Sequence, residues 1–192
     1  MEKEKTLVLV KPDGLIRGLS GKIISRFEKV GLKIVAMKLV RVNDDFAKKH
    51  YPVTDEWYEK VGNNTLDDCK KYNFDVKKTF GTSNPKEIGK KVHEWNVNML
   101  TSNPVIAMVI EGVHAIETTR KIAGETVPRV AIPGTIRGDY TSCSALSSNI
   151  KGRAIHNLVH TSKNQEEANF EINLWFDESE ILEYKKLDED CI

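Results

Sequence analysis

The stretch 155–162 contains the residues whose types and spacing most clearly favour chemistry. Apolar and polar residues alternate loosely over 155–159, which predicts a strand, and Ser162 with Gln165 three positions later predicts a capping box that opens a helix over 163–173. His160 is therefore expected where a strand ends and a helix begins. A histidine there can act as a nucleophile on phosphate, because its pKa lies near neutrality and the helix N-terminus offers unpaired backbone donors to an anion.

Two further segments carry groups that suit phosphate oxygens. Arg120 and Thr126 lie in the segment 120–128, and Arg137 lies in the string Pro-Gly-Thr-Ile-Arg-Gly-Asp at 133–139. Arginine presents planar, forked donors to phosphate, and threonine adds a hydroxyl donor. Both segments fall around a Thr-, Ser-, Gly- and Pro-rich region, 125–150, that shows little regular pattern. So long a loop in a compact domain is usually functional.

These segments together resemble the nucleoside diphosphate kinase family. In that family Asn-Ile/Leu-Ile/Val-His-Gly/Ala-Ser-Asp holds the phosphorylated histidine, and a Glu eleven residues later precedes Leu-Trp-Phe. The matching positions here are Asn157, His160, Ser162, Glu171 and 174–176. Two positions depart from the family pattern, since Lys163 replaces an acidic residue and Thr161 replaces Gly or Ala. Neither departure removes the nucleophile.

The resemblance covers nearly the whole chain. Val10-Lys11-Pro12-Asp13-Gly14 resembles the family's opening motif, whose lysine reaches the active site, and Tyr51 with the preceding histidine matches a His-Tyr pair whose hydroxyl lies near the transferred phosphate. The similarity runs from about residue 6 to 184. It is interrupted by an insertion after Tyr51 and by a shorter one between Asp139 and Asn157.

The resemblance implies a two-step exchange of phosphate. His160 would attack the γ-phosphate of a nucleoside triphosphate, become phosphohistidine, and pass the group to a nucleoside diphosphate with ping-pong kinetics. Glu171 would fix the histidine tautomer, and Ser162 would hold that glutamate. The implied catalytic residues are His160, Lys11, Tyr51, Glu171 and Ser162, and the implied nucleotide-binding residues are Lys11, Arg120, Thr126, Arg137, Asn157 and Trp95.

Trp95 is the expected base clamp, because an aromatic ring can stack on a base. The family uses an aromatic residue on the helical segment before the third strand, and direct alignment gives Val92 or a neighbour, one turn from Trp95. The expected cofactor is Mg²⁺ bridging the nucleotide phosphates. No cluster of carboxylates suggests a resident metal site, which fits a metal that arrives with its nucleotide.

Composition favours an ordinary globular protein. The 192 residues contain 29 basic and 28 acidic side chains, so there is no bulk electrostatic case for binding nucleic acid or a membrane surface. Cys69, Cys143 and Cys191 lack the pairing of a disulfide framework or zinc site, and the C-terminal cysteine does not stand in a prenylation box. With no apolar signal segment, these features predict a cytoplasmic protein.

The hydrophobic pattern predicts an α+β fold. The expected strands are 6–10, 32–42, 104–110 and 155–159, and the expected helices are 20–30, 44–51, 86–100, 114–123 and 163–173. In the second strand, residues 34, 36, 38, 40 and 42 are expected on one face. The order is that of a ferredoxin-like βαββαβ sandwich, with an antiparallel sheet, helices on one face and extra helices. We expect a single kinase-like domain over 1–192 with an inserted helical excursion at about 53–90.

Three other interpretations fit the sequence less well. A zinc site at His156 and His160 lacks a third ligand at a suitable spacing. A ferredoxin-like RNA-binding module would need paired aromatics on adjacent strands, where this chain has aliphatics. An inactive kinase homologue that serves as a nucleotide-binding scaffold would have lost the histidine, the lysine or an arginine.

The family assembles as tetramers or hexamers built from dimers, which implies a homo-oligomer with contacts in the loop around Pro128.

Overall fold

The computed structural model describes residues 3–187 and contains one four-stranded antiparallel sheet. Its strands are β1 (Glu4–Val10), β2 (Lys33–Val40), β3 (Val105–Gly112) and β4 (Val159–Thr161). Their order across the sheet is β2-β3-β1-β4, with β1 and β3 in the centre. This topology confirms the predicted ferredoxin-like α+β fold.

Ten α-helices and two short 3₁₀ turns accompany the sheet in the described part of the chain. The helices are α1 (Pro12–Ile16), α2 (Ser20–Glu28), α3 (Asp44–His50), α4 (Asp55–Lys71), α5 (Val76–Phe80), α6 (Pro85–Thr101), α7 (Ala115–Ala123), α8 (Ile136–Tyr140), α9 (Ala145–Ile150) and α10 (Gln165–Trp175). The 3₁₀ turns span Pro128–Val130 and Glu178–Glu180. No helix within 3–187 combines the length and the apolar composition needed to cross a bilayer.

The described chain forms two compact units. The sheet unit comprises 3–41, 103–142 and 157–187, and the helical unit comprises Val42–Ser102 and Cys143–His156. All four strands belong to the sheet unit, and α3, α4, α5, α6 and α9 belong to the helical unit. That the whole chain acts as one kinase-like domain stays a prediction.

β1 is the most deeply buried strand of the sheet unit. Val8 and Val10 pack with Ile23 and Phe27 of α2, and all four side chains are fully buried. Leu7 and Leu9, which point to the other face, are also fully buried. Burial on both faces explains why this strand reads as an uninterrupted apolar run.

β2 departs from the predicted alternation near its start. The register with β3 shifts between Ile34 and Ala36, and Val35 and Ala36 are both buried. The predicted faces are therefore wrong on the N-terminal side of this bulge. The segment 180–187, here called the C-terminal segment, binds the strand at this bulge. Leu182 N–H donates to Val35 O and the Tyr184 hydroxyl donates to Ile34 O, each at 2.8 Å. A bulge locally increases the twist of a strand and leaves the extra residue unpaired.

The strand and helix around His160 begin later than predicted. β4 covers Val159–Thr161 rather than 155–159, because the backbone of Leu158 adopts a φ of +70° that an extended strand cannot contain. The predicted capping box is also wrong. The N-cap of α10 is Asn164, whose side chain accepts from Glu167 N–H at 2.9 Å, so Ser162 does not cap this helix.

The segment 125–150 contains more regular structure than its sequence predicted. α8 begins after Thr135, whose hydroxyl oxygen accepts from Gly138 N–H at 3.1 Å. α9 begins with a capping box formed by Ser144 and Ser147. These helices are five and six residues long, too short to show a hydrophobic period.

Close backbone approach joins α4 to α6 in the helical unit. A Cβ on Gly62 would lie 1.9 Å from the Pro85 carbonyl oxygen, so this contact requires glycine. The unit's core contains Cys69, Phe80 and Ile88. Cys69 is buried and Cys143 is half-buried, and Cys191 lies outside the described residues.

Candidate active site

The ends of several elements of the sheet unit supply the chemistry-bearing side chains. Lys11 follows β1, and His160 lies in β4 directly opposite Leu9. Glu171 comes from α10, Arg120 from the last turn of α7, and Arg137 from α8. Side chains directly opposite one another in an antiparallel pair share a face, so His160 points to the Leu9 face of the sheet.

A buried glutamate holds the histidine. His160 Nε2 lies 2.6 Å from Glu171 Oε1, and the Ser162 hydroxyl donates to Glu171 Oε2, also at 2.6 Å. Ser162 Oγ accepts in turn from Leu7 N–H at 3.2 Å, which ties the group to β1. Glu171 is only 2% exposed and Ser162 is fully buried. Glu171 thus contacts both His160 and Ser162, while the catalytic roles of these residues stay predictions.

The surroundings of His160 favour the neutral imidazole. Burial lowers the pKa of His160 well below its ordinary value of 6.5, and the charges of Lys11, Arg137 and Arg120 lower it further against the opposing charge of Glu167. A neutral ring whose Nε2 donates to Glu171 carries its lone pair on Nδ1. That nitrogen has the electronic character of a nucleophile at neutral pH.

Lys11 is buried, and its ammonium group binds the side chain of Asn157. Lys11 Nζ donates to Asn157 Oδ1 at 2.9 Å, and the Asn157 amide donates to Thr126 O at 2.9 Å. Burial lowers the pKa of Lys11 to about 8, the charge of Asp13 opposes that shift, and Arg137 adds to it. The buried ammonium of Lys11 is therefore expected to bind a negatively charged group.

Arg137 binds three backbone carbonyls. Its Nη1, Nη2 and Nε donate to Gly124 O at 2.6 Å, Val159 O at 2.8 Å and Asn157 O at 3.1 Å. Burial, followed by the charge of Arg120, lowers the pKa of Arg137 to about 10, so the guanidinium stays charged at neutral pH. Arg137 therefore fastens α8 to the backbone around β4 while it contributes positive charge.

The structure brings most of the predicted site residues together in the sheet unit. These are Lys11, Arg120, Thr126, Arg137, Asn157, His160, Ser162 and Glu171. Tyr51 and Trp95 belong to the helical unit. Tyr51 O lies 3.1 Å from His93 Nε2, and the Trp95 ring packs against Phe80 with the ring centroids 6.0 Å apart. Their roles at the site stay predictions.

Sequence reasoning assigned no role to several residues that shape the site. Asp13 and Leu158 hydrogen-bond to each other in the interior, and Arg26 of α2 pairs with Asp139 of α8. Asp13 and Asp139 lie within the motifs at 10–14 and 133–139, so their positions carried a signal. Leu158 carried none, because a positive φ at leucine cannot be read from residue type.

The fold and the site together define an α+β protein built to handle phosphate, with a glutamate-held histidine among buried cations. More specifically, the chain belongs to the nucleoside diphosphate kinase family, since the family model of that name matches residues 4–62 and 75–181. The unmatched residues 63–74 fall within the predicted insertion, whose boundaries stay a prediction.

Relatives from two organisms match over nearly their full length. The nucleoside diphosphate kinase of Pyrobaculum aerophilum is 44% identical over 183 residues, which is 95% of this chain and all of the relative. The crystal structure of an NDP kinase from the same organism has a TM-score of 0.90 at 42% identity, covering 95% of this chain and 100% of that one. A transition-state mimic of the Borrelia burgdorferi enzyme, with bound vanadate and ADP, has a TM-score of 0.77 at 42% identity, with 97% and 95% covered.

Proposed function

We propose that this chain is a nucleoside diphosphate kinase that transfers the γ-phosphate of a nucleoside triphosphate to a nucleoside diphosphate through phosphohistidine at His160. The observation that carries the proposal is the 2.6 Å contact between His160 Nε2 and Glu171 Oε1, set among the charges of Lys11, Arg120 and Arg137. The histidine is neutral, oriented and surrounded by groups that favour anions. Covalent transfer requires this combination.

In the first half-reaction, Nδ1 of His160 attacks the γ-phosphorus. A nitrogen–phosphorus bond forms, the bond from phosphorus to the β,γ-bridging oxygen breaks, and a nucleoside diphosphate leaves with that oxygen. In the second half-reaction, a terminal oxygen of another diphosphate attacks the same phosphorus and the nitrogen leaves. Glu171 keeps the ring in one tautomer and stabilises the positive charge that the ring acquires.

The rate enhancement is assigned to positioning and charge. The transferred group spreads its negative charge over several oxygens in the transition state, where fixed cations stabilise it most. Lys11 and Arg120 are the proposed contacts, with Arg137 contributing charge beside them. Thr126 and Asn157 are proposed to bind the nucleotide, with Tyr51 close to the phosphate and Trp95 against the base.

Mg²⁺ is proposed to enter with the nucleotide. The described side chains around His160 in the sheet unit include three cations, and Glu171 already accepts from His160 and Ser162. This donor set suits phosphate oxygens rather than a resident divalent ion. The metal, held by the phosphates, would neutralise charge on them as the bond breaks.

The comparisons support this proposal over an inactive scaffold. The Borrelia burgdorferi relative was captured with vanadate and ADP as a transition-state mimic. An inactive homologue would lack the histidine, the lysine or an arginine, and this chain has all of them. We further propose, from family membership, a cytoplasmic homo-oligomer built from dimers as a tetramer or hexamer.

The direct test is phosphate capture. The protein is incubated with γ-labelled ATP and Mg²⁺ without acceptor, and the label is tested for stability in alkali, loss in acid and transfer to added GDP. We expect stoichiometric, acid-labile label that moves to GDP. His160→Ala should reduce labelling by at least about 1,000-fold.

His114→Asn is the matched control. His114 is an exposed histidine of the sheet unit with a φ of +52°, and asparagine tolerates that backbone conformation. This variant should label like the parent. A folded, nucleotide-binding parent that takes up no label would overturn the proposal in favour of the scaffold.

A further inference from the structure

We infer that Asp13 is a positioning residue that holds the backbone before the nucleophile in its reactive conformation. The inference rests on the proposed function, because it concerns the placement of His160. Asp13 stands two residues after Lys11, in the first turn of α1, and Leu158 stands two residues before His160. The carboxylate acts through the backbone of Leu158 rather than on the nucleotide itself.

Leu158 has a strained backbone. Its φ is +70°, and Val159 N–H donates across it to Asn157 O at 2.8 Å. Such a three-residue γ-turn with positive φ at its centre is rare and strained. For a leucine this region is unfavourable, and strain of this kind persists only where the surrounding structure over-determines it.

Asp13 and the adjoining turn provide that constraint. Asp13 Oδ2 accepts from Leu158 N–H at 3.0 Å, and Leu158 O accepts from Lys11 N–H at 2.8 Å. Both polar groups of the Leu158 backbone are thus bound by the same turn after β1. Asp13 is 3% exposed and the Leu158 side chain is fully buried, so water is excluded from this junction.

The backbone around Leu158 has no room to relax toward the turn. A Cβ on Gly14 would lie 2.9 Å from Leu158 O and 3.0 Å from Val10 Cγ1. The turn at Gly14 therefore packs closely against the Leu158 carbonyl group, while the Asp13 side chain binds the Leu158 N–H. A displaced Leu158 would move both of its functional neighbours, since Asn157 binds Lys11 Nζ and Val159 leads directly to His160.

Asp13 has a second, electrostatic effect beside its hydrogen bond to Leu158. Its second carboxylate oxygen is buried and has no hydrogen-bond partner within the described chain. A half-satisfied buried carboxylate costs free energy that a purely structural position would not retain. Its charge acts on Lys11 and on Arg137, raising the pKa of each against the effect of burial. Asp13 therefore acts on Lys11 and Arg137 through its charge and on the histidine segment through its hydrogen bond with Leu158.

The test separates the hydrogen bond from the charge. Asp13→Asn keeps an acceptor oxygen for Leu158 N–H, Asp13→Leu keeps the size without an acceptor, and Ile16→Ala, at a position 65% exposed on the same helix, is the control. Phosphorylation is followed in a single turnover with saturating γ-labelled ATP and Mg²⁺. Affinity is measured separately with a non-transferable ATP analogue.

We expect Asp13→Leu to slow phosphorylation of His160 by about 10- to 100-fold, because a small displacement of the nucleophile has effects of that size. Affinity for the analogue should stay close to the parent's, and Asp13→Asn should restore most of the rate. Equal losses in the Asn and Leu variants would assign the effect to charge and overturn the inference that the hydrogen bond from Leu158 N–H to Asp13 positions the nucleophile. An unchanged rate in Asp13→Leu, or a rate loss matched by lost affinity, would also overturn it.

A spectroscopic measurement covers the case in which Asp13→Leu does not fold. The Leu158 amide proton of the parent should exchange slowly and resonate far downfield, as a charge-assisted hydrogen bond requires, and should move upfield in Asp13→Asn. A fast-exchanging or unshifted proton would contradict the inference. If the parent itself takes up no label, the proposed function fails. If the parent is labelled and the Asp13 variants behave like it, only this inference fails.

Discussion

At the scale of single residues, Lys11 shows that the site is built at the expense of stability. Its side chain is buried, and its pKa falls to about 8 from 10.5, chiefly because burial penalises the charged ammonium. The unfolded chain therefore binds more protons between pH 8 and 10.5. Stability rises as the pH rises through that window, and the cost is fully present below it.

Replacing this lysine should make the protein more stable and less active. Lys11→Met is expected to raise the free energy of unfolding at pH 7 by about 1 to 3 kcal/mol, since the buried charge is removed while the hydrogen bond to Asn157 is lost. The advantage should vanish above pH 10.5, where the parent lysine is neutral in both states. Urea unfolding at several pH values checks this, together with the labelling assay, which should show a large loss.

Lys22→Met, at an exposed position of α2, is the matched control and should leave both stability and labelling unchanged. A Lys11→Met protein that is less stable than the parent at neutral pH would show that the hydrogen bond to Asn157 outweighs the burial of charge.

At the scale of elements, α8 is held from outside the site by α2. Arg26 Nη1 pairs with Asp139 Oδ2 at 2.8 Å, and its Nη2 donates to Gly134 O. Asp139 Oδ1 accepts from Gly134 N–H at 2.7 Å. The hydrogen bond from Arg26 holds the pKa of Asp139 below its usual range. This network fixes the turn that presents Arg137.

Loosening the network should weaken nucleotide binding without removing the nucleophile. Arg26→Ala is expected to raise KM for the nucleotide about 3- to 10-fold while the label still reaches His160, because Arg137 loses part of its alignment. Steady-state kinetics across ATP concentrations provide the measurement. Lys22→Ala on the same helix is the control. A fall in kcat with KM unchanged would place Arg26 in the chemical step instead.

The elements with a long hydrophobic period were predictable from the sequence, and the short or irregular ones were not. α2, α7 and α6 follow their patterns closely, as do β1 and β3. β4 has three residues, and its start is set by the backbone of Leu158 rather than by any pattern. Ser162 misled the prediction, because its hydroxyl binds Glu171 instead of capping α10.

The site was predictable to a similar degree. Residue types within sequence motifs predicted the histidine, its glutamate and the cations, since the side chains of these residues are themselves the reactive or charged groups. The supporting contacts were invisible, because they depend on backbone that is distant in sequence. The Leu158 amide meets the carboxylate of Asp13, 145 positions away. Such pairs follow from topology and cannot be read from local composition.

At the scale of the whole molecule, the C-terminal segment covers part of the outer edge of β2. Besides the bonds to Ile34 and Val35, Lys33 Nζ donates to Tyr184 O at 2.8 Å, and Lys38 pairs with Glu180 at 2.8 Å. Edge strands with unpaired backbone groups are prone to pair with other chains. Here a non-strand segment occupies part of that edge.

Removing the segment should expose the edge. A variant that ends at Ile181 is expected to lose about 1 to 3 kcal/mol of unfolding free energy through lost backbone hydrogen bonds, and to aggregate more readily. Chemical denaturation and light scattering measure the two effects. A variant that ends at Leu187 removes only residues outside the described range and serves as control. Equal behaviour of the two truncations would show that the segment does not protect β2.

The sheet also governs when activity can arise during synthesis. β1 pairs with β3 about a hundred positions later and with β4 about 150 positions later, where Val8 is opposite Thr161. Lys11 and the Glu171–His160 pair therefore meet only after α10 has left the ribosome. A nascent chain has no phosphate-transfer site until α10 has been synthesised, so a translation product interrupted before Glu171 has no competent histidine with which to consume ATP.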